Sequence, residues 1–344
     1  MRVAPSIAAA GLLAVTLLTP TAAGAASGGT THACSASVDV DAFSDALDKT
    51  TFDGVYVGNL SALAVDRDGR IAALSDRSSL FSLDARTLRP VGVVALADEN
   101  GAALDSEGLV VDRDGTRLVT SEVEPSIRRY SRAGKILGRL PVPDALRVAP
   151  AGRATTNLTF EGLTLEPGGR TLVASMEGAL SGDDTDLVRF QTWRRQAYGR
   201  DFRLSAQYGY RVDSGLGVSD ITATPDGRLL VLERGFTAGV GNTIRLYLAD
   251  PRHATDVGRT EHLTAGPGVR LIGKSLLADL GDCPSLGATA KQPQPNPLLD
   301  NIEGITITGR APGGGLRLLL VSDDNQGSQQ ITRLYSLTVR LPRG

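Results

Sequence analysis

Histidine is scarce in this sequence of 344 residues, occurring only at His32, His253 and His262. A Ser-His-Asp hydrolase needs a positioned imidazole base, and no G-x-S-x-G elbow accompanies these three. H-E-x-x-H, C-x-x-C and P-loop signatures are absent as well, which removes zincin, dithiol-redox and P-loop nucleotide chemistry. Charge of one sign is lacking too: 36 Lys and Arg against 38 Asp and Glu leave a formal net charge of −2. That balance provides no broad field for recruiting nucleic acid or an anionic membrane. One tryptophan and two methionines stand beside 40 glycines. Short apolar runs between so many turn residues favour an all-β fold over a helical bundle.

The apolar run Ile7 to Leu18 follows Arg2 and precedes small residues around Ala23-Gly24-Ala25. That order predicts a secretory signal peptide over residues 1–25, cleaved after Ala25. Pro20 closes a run too short to span a bilayer comfortably. Residues 26–37 are expected to form a mobile leader and residues 38–344 the folded domain, exported and without a transmembrane segment. Thr31-His32-Ala33 lacks the aliphatic residue usual three positions before a lipidated cysteine, so Cys34 is not read as a lipid anchor. An exported chain whose two cysteines are Cys34 and Cys283 is expected to pair them, although sequence by itself does not establish the connection.

One pattern recurs five times: a polar or acidic start, an apolar strand, a turn, a second apolar strand and an acidic end. It covers "NLSALAVDRDGRIAALSDR" (59–77), "DSEGLVVDRDGTRLVTSEVE" (105–124), "TFEGLTLEPGGRTLVASMEG" (159–178), "GVSDITATPDGRLLVLERG" (217–235) and "NIEGITITGRAPGGGLRLLLVSDDN" (301–325). Self-similarity at this spacing predicts a propeller or another repeat architecture. Asp68-Gly69, Asp114-Gly115, Gly168-Gly169 and Asp226-Gly227 supply tight turns, and runs such as Leu229-Leu230-Val231-Leu232 read as strands buried on both faces. Two further strands follow each hairpin except the last, where only Arg333–Val339 remains, so a strand within 38–47 is expected to complete that blade. The reading is a single all-β propeller of five four-stranded blades, with a sixth blade left open between Phe236 and Asp300.

In a ring, every inner hairpin starts and ends at one mouth of the central channel. Glu107, Glu161, Asp220 and Glu303 fall at the starts of inner strands, with Ser61 breaking the acidic rule; Asp76, Glu122, Glu177, Glu233 and Asp323 or Asp324 fall at the ends of second strands. Converging carboxylates need cations, arginines or shared protons, and oxygen-rich clusters suit Ca²⁺ or Mg²⁺. Asn157, Asn301 and Asn325 could add neutral oxygens. A single acid beside a turn ordinarily caps backbone N–H groups or pairs with an arginine, as expected of Asp68, Asp114 and Asp226, and Arg77 and Arg234 stand ready to pair with the second set. "QTWRRQAYGR" (191–200) reads as a phosphate or polysaccharide contact or as an exposed outer strand and loop, and "DDTD" (183–186) as a loop calcium site or a plain acidic loop.

Over about Val55 to Val339, the stretches "EGLVVDRDGTRLVTSE", "FEGLTLEPGGRTLVASMEG", "VSDITATPDGRLLVLERGF" and "NIEGITI…LLLVSDDN" together resemble the secreted phytase-like family, "esterase-like activity of phytase". The resemblance implies an exported β-propeller and phosphoester or ester hydrolysis. By analogy with calcium-dependent propeller phytases it implies Ca²⁺ held by Glu107, Glu161, Asp220, Glu303, Glu177, Glu233, Asp323 and Asn325. Glu161, Glu303, Arg77 and Arg234 are the implied catalytic residues. The chain lacks the dense basic cluster that a highly phosphorylated substrate such as phytate needs. The expected partner is a small phosphoester or ester, bound by a monomer without nucleic acid; a non-catalytic propeller binding an extracellular ligand or envelope partner is the other reading.

Overall fold

The computed structural model describes Met1, residues 32–196 and residues 199–342. Beyond Met1, the expected signal peptide lies outside the described residues, as do residues 26–31 of the expected leader. Strand β1 (Val38–Ser44) is followed by a small hairpin of β2 (Thr50–Phe52) and β3 (Val55–Val57), and then by the repeats. The first blade comprises β4 (Leu60–Val65), β5 (Ile71–Ser75), β6 (Ser79–Leu83) and β7 (Pro90–Ala95). The second has β8 (Leu109–Val111), β9 (Arg117–Ser121), β10 (Ser126–Tyr130) and β11 (Ile136–Arg139). The third has β12 (Phe160–Leu165), β13 (Thr171–Met176), β14 (Leu187–Arg194) and β15 (Arg203–Arg211), and the fourth β16 (Gly217–Ala223), β17 (Leu229–Thr237), β18 (Gly241–Asp250) and β19 (Gly273–Asp279). The fifth is built from β20 (Asn301–Arg310), β21 (Leu316–Asp323) and β22 (Leu334–Val339), with β1 as its outermost strand.

All five four-stranded sheets are antiparallel meanders, and the protein is a five-bladed β-propeller. The stretch between Phe236 and Asp300 holds the end of β17, then β18 and β19, with a long insertion between those two, so it adds no sixth blade. Among the described residues no helix is long and apolar enough to cross a membrane. Gly69 and Gly227, at φ 83° and 84°, take the left-handed corner of their hairpin turns, a conformation that costs glycine nothing sterically.

The innermost hairpins carry the core. Leu229 to Leu232 are all fully buried, but alternate residues serve different clusters. Leu230 and Leu232 pack with Ile302, Ile305 and Leu320 of the fifth blade, whereas Leu229 and Val231 pack with Val173, Phe190 and Tyr210 of the third. A period-two side-chain alternation therefore fills two inter-blade layers from one strand.

The ring closes through β1, which pairs antiparallel with β22, Val38 opposite Val339 and Val40 opposite Leu337. Cys34 forms a disulfide with Cys283, just past β19 of the fourth blade. The Ser35 hydroxyl donates to the Leu277 carbonyl at 2.7 Å, and His32 Nδ1 lies 2.8 Å from the Val40 carbonyl oxygen. These contacts tie residues 32–37 of the expected leader to the fourth and fifth blades.

Candidate metal centre at the channel mouth

The innermost strands break register at the same point. Leu60 pairs with Ser75 and Ala62 with Leu74; Val218 pairs with Glu233 and Asp220 with Leu232; Ile302 pairs with Ser322 and Gly304 with Val321. In the third blade Phe160 pairs with Met176 and Leu163 with Ala174. A bulge leaves a residue outside the ladder and re-aims its side chain. The residues left out are Ser61, Ser219, Glu303, and Glu161 with Gly162; Glu107 holds the corresponding position ahead of β8.

The glycine after each acid has a steric cause. A Cβ on Gly108 would lie 2.5 Å from the Glu161 carbonyl oxygen, one on Gly162 2.6 Å from the Ile221 nitrogen, and one on Gly304 3.0 Å from the Ser61 carbonyl oxygen. Each of these glycines thus abuts the innermost strand of the next blade. In the fourth blade Asp220 occupies this slot, and its carboxylate accepts from the backbone N–H groups of Ile305 at 2.8 Å and Ile221 at 2.7 Å, with Leu163 N–H also bonded to it. Asp220 clips the inner strands of three blades together and does not join the other acids.

The second strands follow the same logic. Asp76, Glu177 and Asp323 each follow the residue that pairs just before the bulge, and in the fourth blade that position belongs to Arg234, with Glu233 one residue earlier. Backbone bonds from Asp76 N–H to Asn59 (2.9 Å), Glu122 N–H to Asp105 (2.8 Å) and Glu177 N–H to Thr159 (2.7 Å) put Glu122 in the same series. Glu233 instead turns between blades, where it accepts from Tyr210 Oη at 2.7 Å and Lys274 Nζ at 2.5 Å. The structure therefore gathers Asp76, Glu107, Glu122, Glu161, Glu177, Glu303 and Asp323, and leaves Asp220 and Glu233 outside.

Burial sets the electrostatics of this mouth. It pushes the carboxyls of Glu107, Glu161 and Asp323 well above their usual range, and neighbouring acids push them further: Glu303 and Glu122 at Glu107, Glu107 and Glu177 at Glu161, Glu303 at Asp323. Burial likewise raises Glu122 to about 7 and Asp76 to about 6. Among the described residues two cations touch the cluster. Arg77 is largely exposed, its Nε 3.6 Å from Asp76. Arg234 is mostly covered, 3.5 Å from Glu177 and 3.3 Å from Glu303, and donates to Asn301 Oδ1 at 2.9 Å. Burial raises Glu177 and Glu303, with Arg234 opposing the rise. The buried Arg234 Nε donates to no protein acceptor.

One carboxylate oxygen from each of Glu122, Glu161 and Glu177 lies within 4.8 Å of the others. Calcium–oxygen contacts measure about 2.3–2.6 Å, the scale on which these three oxygens are gathered. Buried hard donors held near one another with little cationic compensation fit a divalent ion, and this triad can hold a metal. Asn325 is exposed and contributes its backbone N–H to Asp323 at 2.8 Å. Asp324 is consumed by Lys49, Tyr56 and the Asn59 N–H, which seat the β2–β3 hairpin.

The other candidates have structural partners. Asp183 pairs with Arg189 (2.6 Å) and Arg153 (3.2 Å), Asp184 accepts from Ala265 N–H (2.9 Å), and Asp186 pairs with Arg211. In "QTWRRQAYGR", Arg195 pairs with the buried Asp112 at 2.5 Å and Trp193 Nε1 donates to Pro141 at 2.7 Å, joining the second and third blades; Ala197 and Tyr198 lie outside the described residues. Ser219, Asn59 and Asp105 flank the mouth without having been singled out from sequence; aligning the apolar residues of the five repeats, rather than their acids, would have found Ser219.

Two depressions adjoin the acids. One of about 650 Å³ includes Glu177, Arg234 and Phe236, and another of about 500 Å³ includes Arg234, Phe236, Asn301, Glu303 and Asn325. They meet at Arg234 and Phe236.

A sequence-family model described as "Phytase-like: Esterase-like activity of phytase" matches residues 55–326. An "uncharacterized secreted protein" of Arthroderma benhamiae is 28% identical over 128 residues, which span 30% of this chain and 24% of that protein. Among solved structures, a gluconolactonase from Xanthomonas campestris aligns at 14% identity and a TM-score of 0.43, over 84% of this chain and 74% of that one. The PQQ-bound aldose sugar dehydrogenase of Streptomyces coelicolor aligns at 14% identity and a TM-score of 0.43, over 88% and 98%.

Proposed function

The chain belongs to the phytase-like, esterase-like-activity-of-phytase family, and from that premise we propose that it is a secreted, calcium-dependent hydrolase of small phosphoesters or esters, acting as a monomer at the channel mouth. The observation that carries this reading is the convergence of Glu122, Glu161 and Glu177 within 4.8 Å. These three residues hold the ion, with Glu107 and Glu303 beside them. When bound, calcium supplies Lewis acidity that polarises a phosphoryl or acyl oxygen and favours ionisation of water.

The chain's own residues do the remainder. Arg234 is oriented by Asn301, Glu177 and Glu303, and its guanidinium, which lines both depressions, offers donors to an anionic substrate oxygen. Glu303 accepts from Asn301 Nδ2 at 2.8 Å, which leaves the second carboxylate oxygen to take a proton from an attacking water. Arg77, at the rim, attracts an anionic substrate. Export accords with the disulfide, since such bonds persist in oxidising compartments.

The test pairs two measurements: a calcium-induced thermal shift, and turnover of 4-nitrophenyl phosphate and 4-nitrophenyl acetate with and without EGTA. The expected result is stabilisation by calcium and turnover that EGTA abolishes. Chelator-insensitive turnover, or a protein indifferent to calcium, sinks the metal-centred reading; stabilisation without turnover sinks the hydrolase.

A further inference from the structure

The depression of about 650 Å³ that includes Glu177 of the triad is lined by both charged and apolar side chains. Glu177 and Arg234 line it together with Leu158, Ala179, Leu180, Leu216 and Phe236. Phe236 is 56% exposed and Leu158 38% exposed, so both present apolar surface beside a charged centre. Glycines adjoin this surface. A Cβ on Gly178 would lie 3.0 Å from Leu158 Cβ, and one on Gly235 2.6 Å from Leu216 Cδ2. Leu158 thus packs along the backbone at Gly178, and a side chain at Gly235 would meet both Leu216 and the Gly215 carbonyl.

Charge along the depression is sparse. Its other acid, Asp183, is buried and paired with Arg189 and Arg153. Arg234 is the one cation that lines it among the described residues. One guanidinium can answer one anionic group, not the several of a densely phosphorylated polyol.

We propose that this depression is the subsite for an apolar, phenyl-sized arm of the substrate, attached to a single anionic or ester head that sits at Arg234 and the triad. The inference rests on the placement of the reaction at this mouth. It assigns substrate choice to Phe236 and Leu158: the arm covers their exposed faces, and the head is held at Arg234 and the triad.

Calorimetric titration of the calcium-loaded protein with phenylphosphonate and with methylphosphonate tests the arm without any turnover. Covering about half of a phenyl ring predicts roughly tenfold tighter binding of phenylphosphonate. Phe236→Ala and Leu158→Ala alter exposed side chains, and the double variant is expected to bring the two affinities within about twofold. Equal affinities in the unaltered protein, no binding of either probe, or a preference that survives in the double variant overturns the proposal. Hydrolysis of 4-nitrophenyl phosphate, followed in parallel, separates the two readings. Turnover with no phenyl preference removes the subsite and leaves the hydrolase; phenyl preference with no turnover does the reverse.

Discussion

Arg234 of the fourth blade holds the position that Glu177 holds in the third, and its guanidinium lies 3.5 Å from that carboxylate. One charge reversal in a repeated slot puts a cation among seven acids. Arg234→Gln leaves Glu177 and Glu303 without it, and breaking a mostly covered pair costs about 2 kcal/mol after allowance for its partial exposure. The melting temperature in EGTA is expected to fall by several degrees, and by less in saturating calcium, with turnover in calcium reduced.

Glu161→Gln acts in the opposite direction on the metal-free protein. Glu161 is buried against Glu107 and Glu177, so a neutral amide relieves repulsion and the melting temperature in EGTA is expected to stay level or rise. The calcium-induced shift is expected to shrink sharply, because one of three ligands is weakened. Losing the stabilisation in EGTA while keeping the calcium shift intact would place the ion elsewhere.

The Cys34–Cys283 bond spans 249 residues of sequence. Closing so long a loop restricts the unfolded chain, and replacing both cysteines by serine is expected to cost about 2–4 kcal/mol. Urea unfolding of the double variant, compared with the oxidised protein, measures it; an unchanged midpoint would mean that β1 is held by its ladder alone.

Acid sensitivity of the second and third blades should centre on Asp112. Burial acts to raise its carboxyl, but hydrogen bonds from Arg195 and Arg129 outweigh burial and hold it at about 2. A depressed folded value stabilises the protein above the unfolded value of about 3.9 and loses that contribution as pH falls toward 2. Asp112→Asn is therefore expected to be less stable than the unaltered protein at pH 7, with the gap closing below about pH 4. A gap that stays constant from pH 7 to pH 2.5 contradicts the assignment.

The repeat made the architecture legible, because the hairpin turns and doubly buried second strands impose their own spacing. Blade number, strand order and closure by β1 all follow it, while the Cys34–Cys283 bond was expected from export and the pair of cysteines. The site was legible only to within one residue. In "VSDITATPDGRLLVLERG", matching Asp220 and Glu233 to the acids of other repeats slides the register by one. The apolar pattern fixes Ser219 and Arg234 at the mouth instead, since a strand shifted by one residue turns every side chain to the other face. Asp220 survives in a slot that favours glycine because three backbone N–H groups meet its carboxylate. The apolar surface at Leu158, ahead of β12, and at Phe236, near the end of β17, lies outside any acid pattern.

Closure by β1 also dictates when the acids of the fifth blade can join the mouth. Val38 finds its partner only when Val339 has been made, so a chain growing from its N-terminus carries an open arc of blades until β22 is complete. In that arc Glu303 and Asp323 have not yet met Glu107 and Asp76, and their mutual repulsion opposes only the final joining step. Ring closure thus completes only the far side of the mouth, bringing Glu303 and Asp323 of the fifth blade to the acids of the first two, whereas Glu122, Glu161 and Glu177 meet where the second and third blades join.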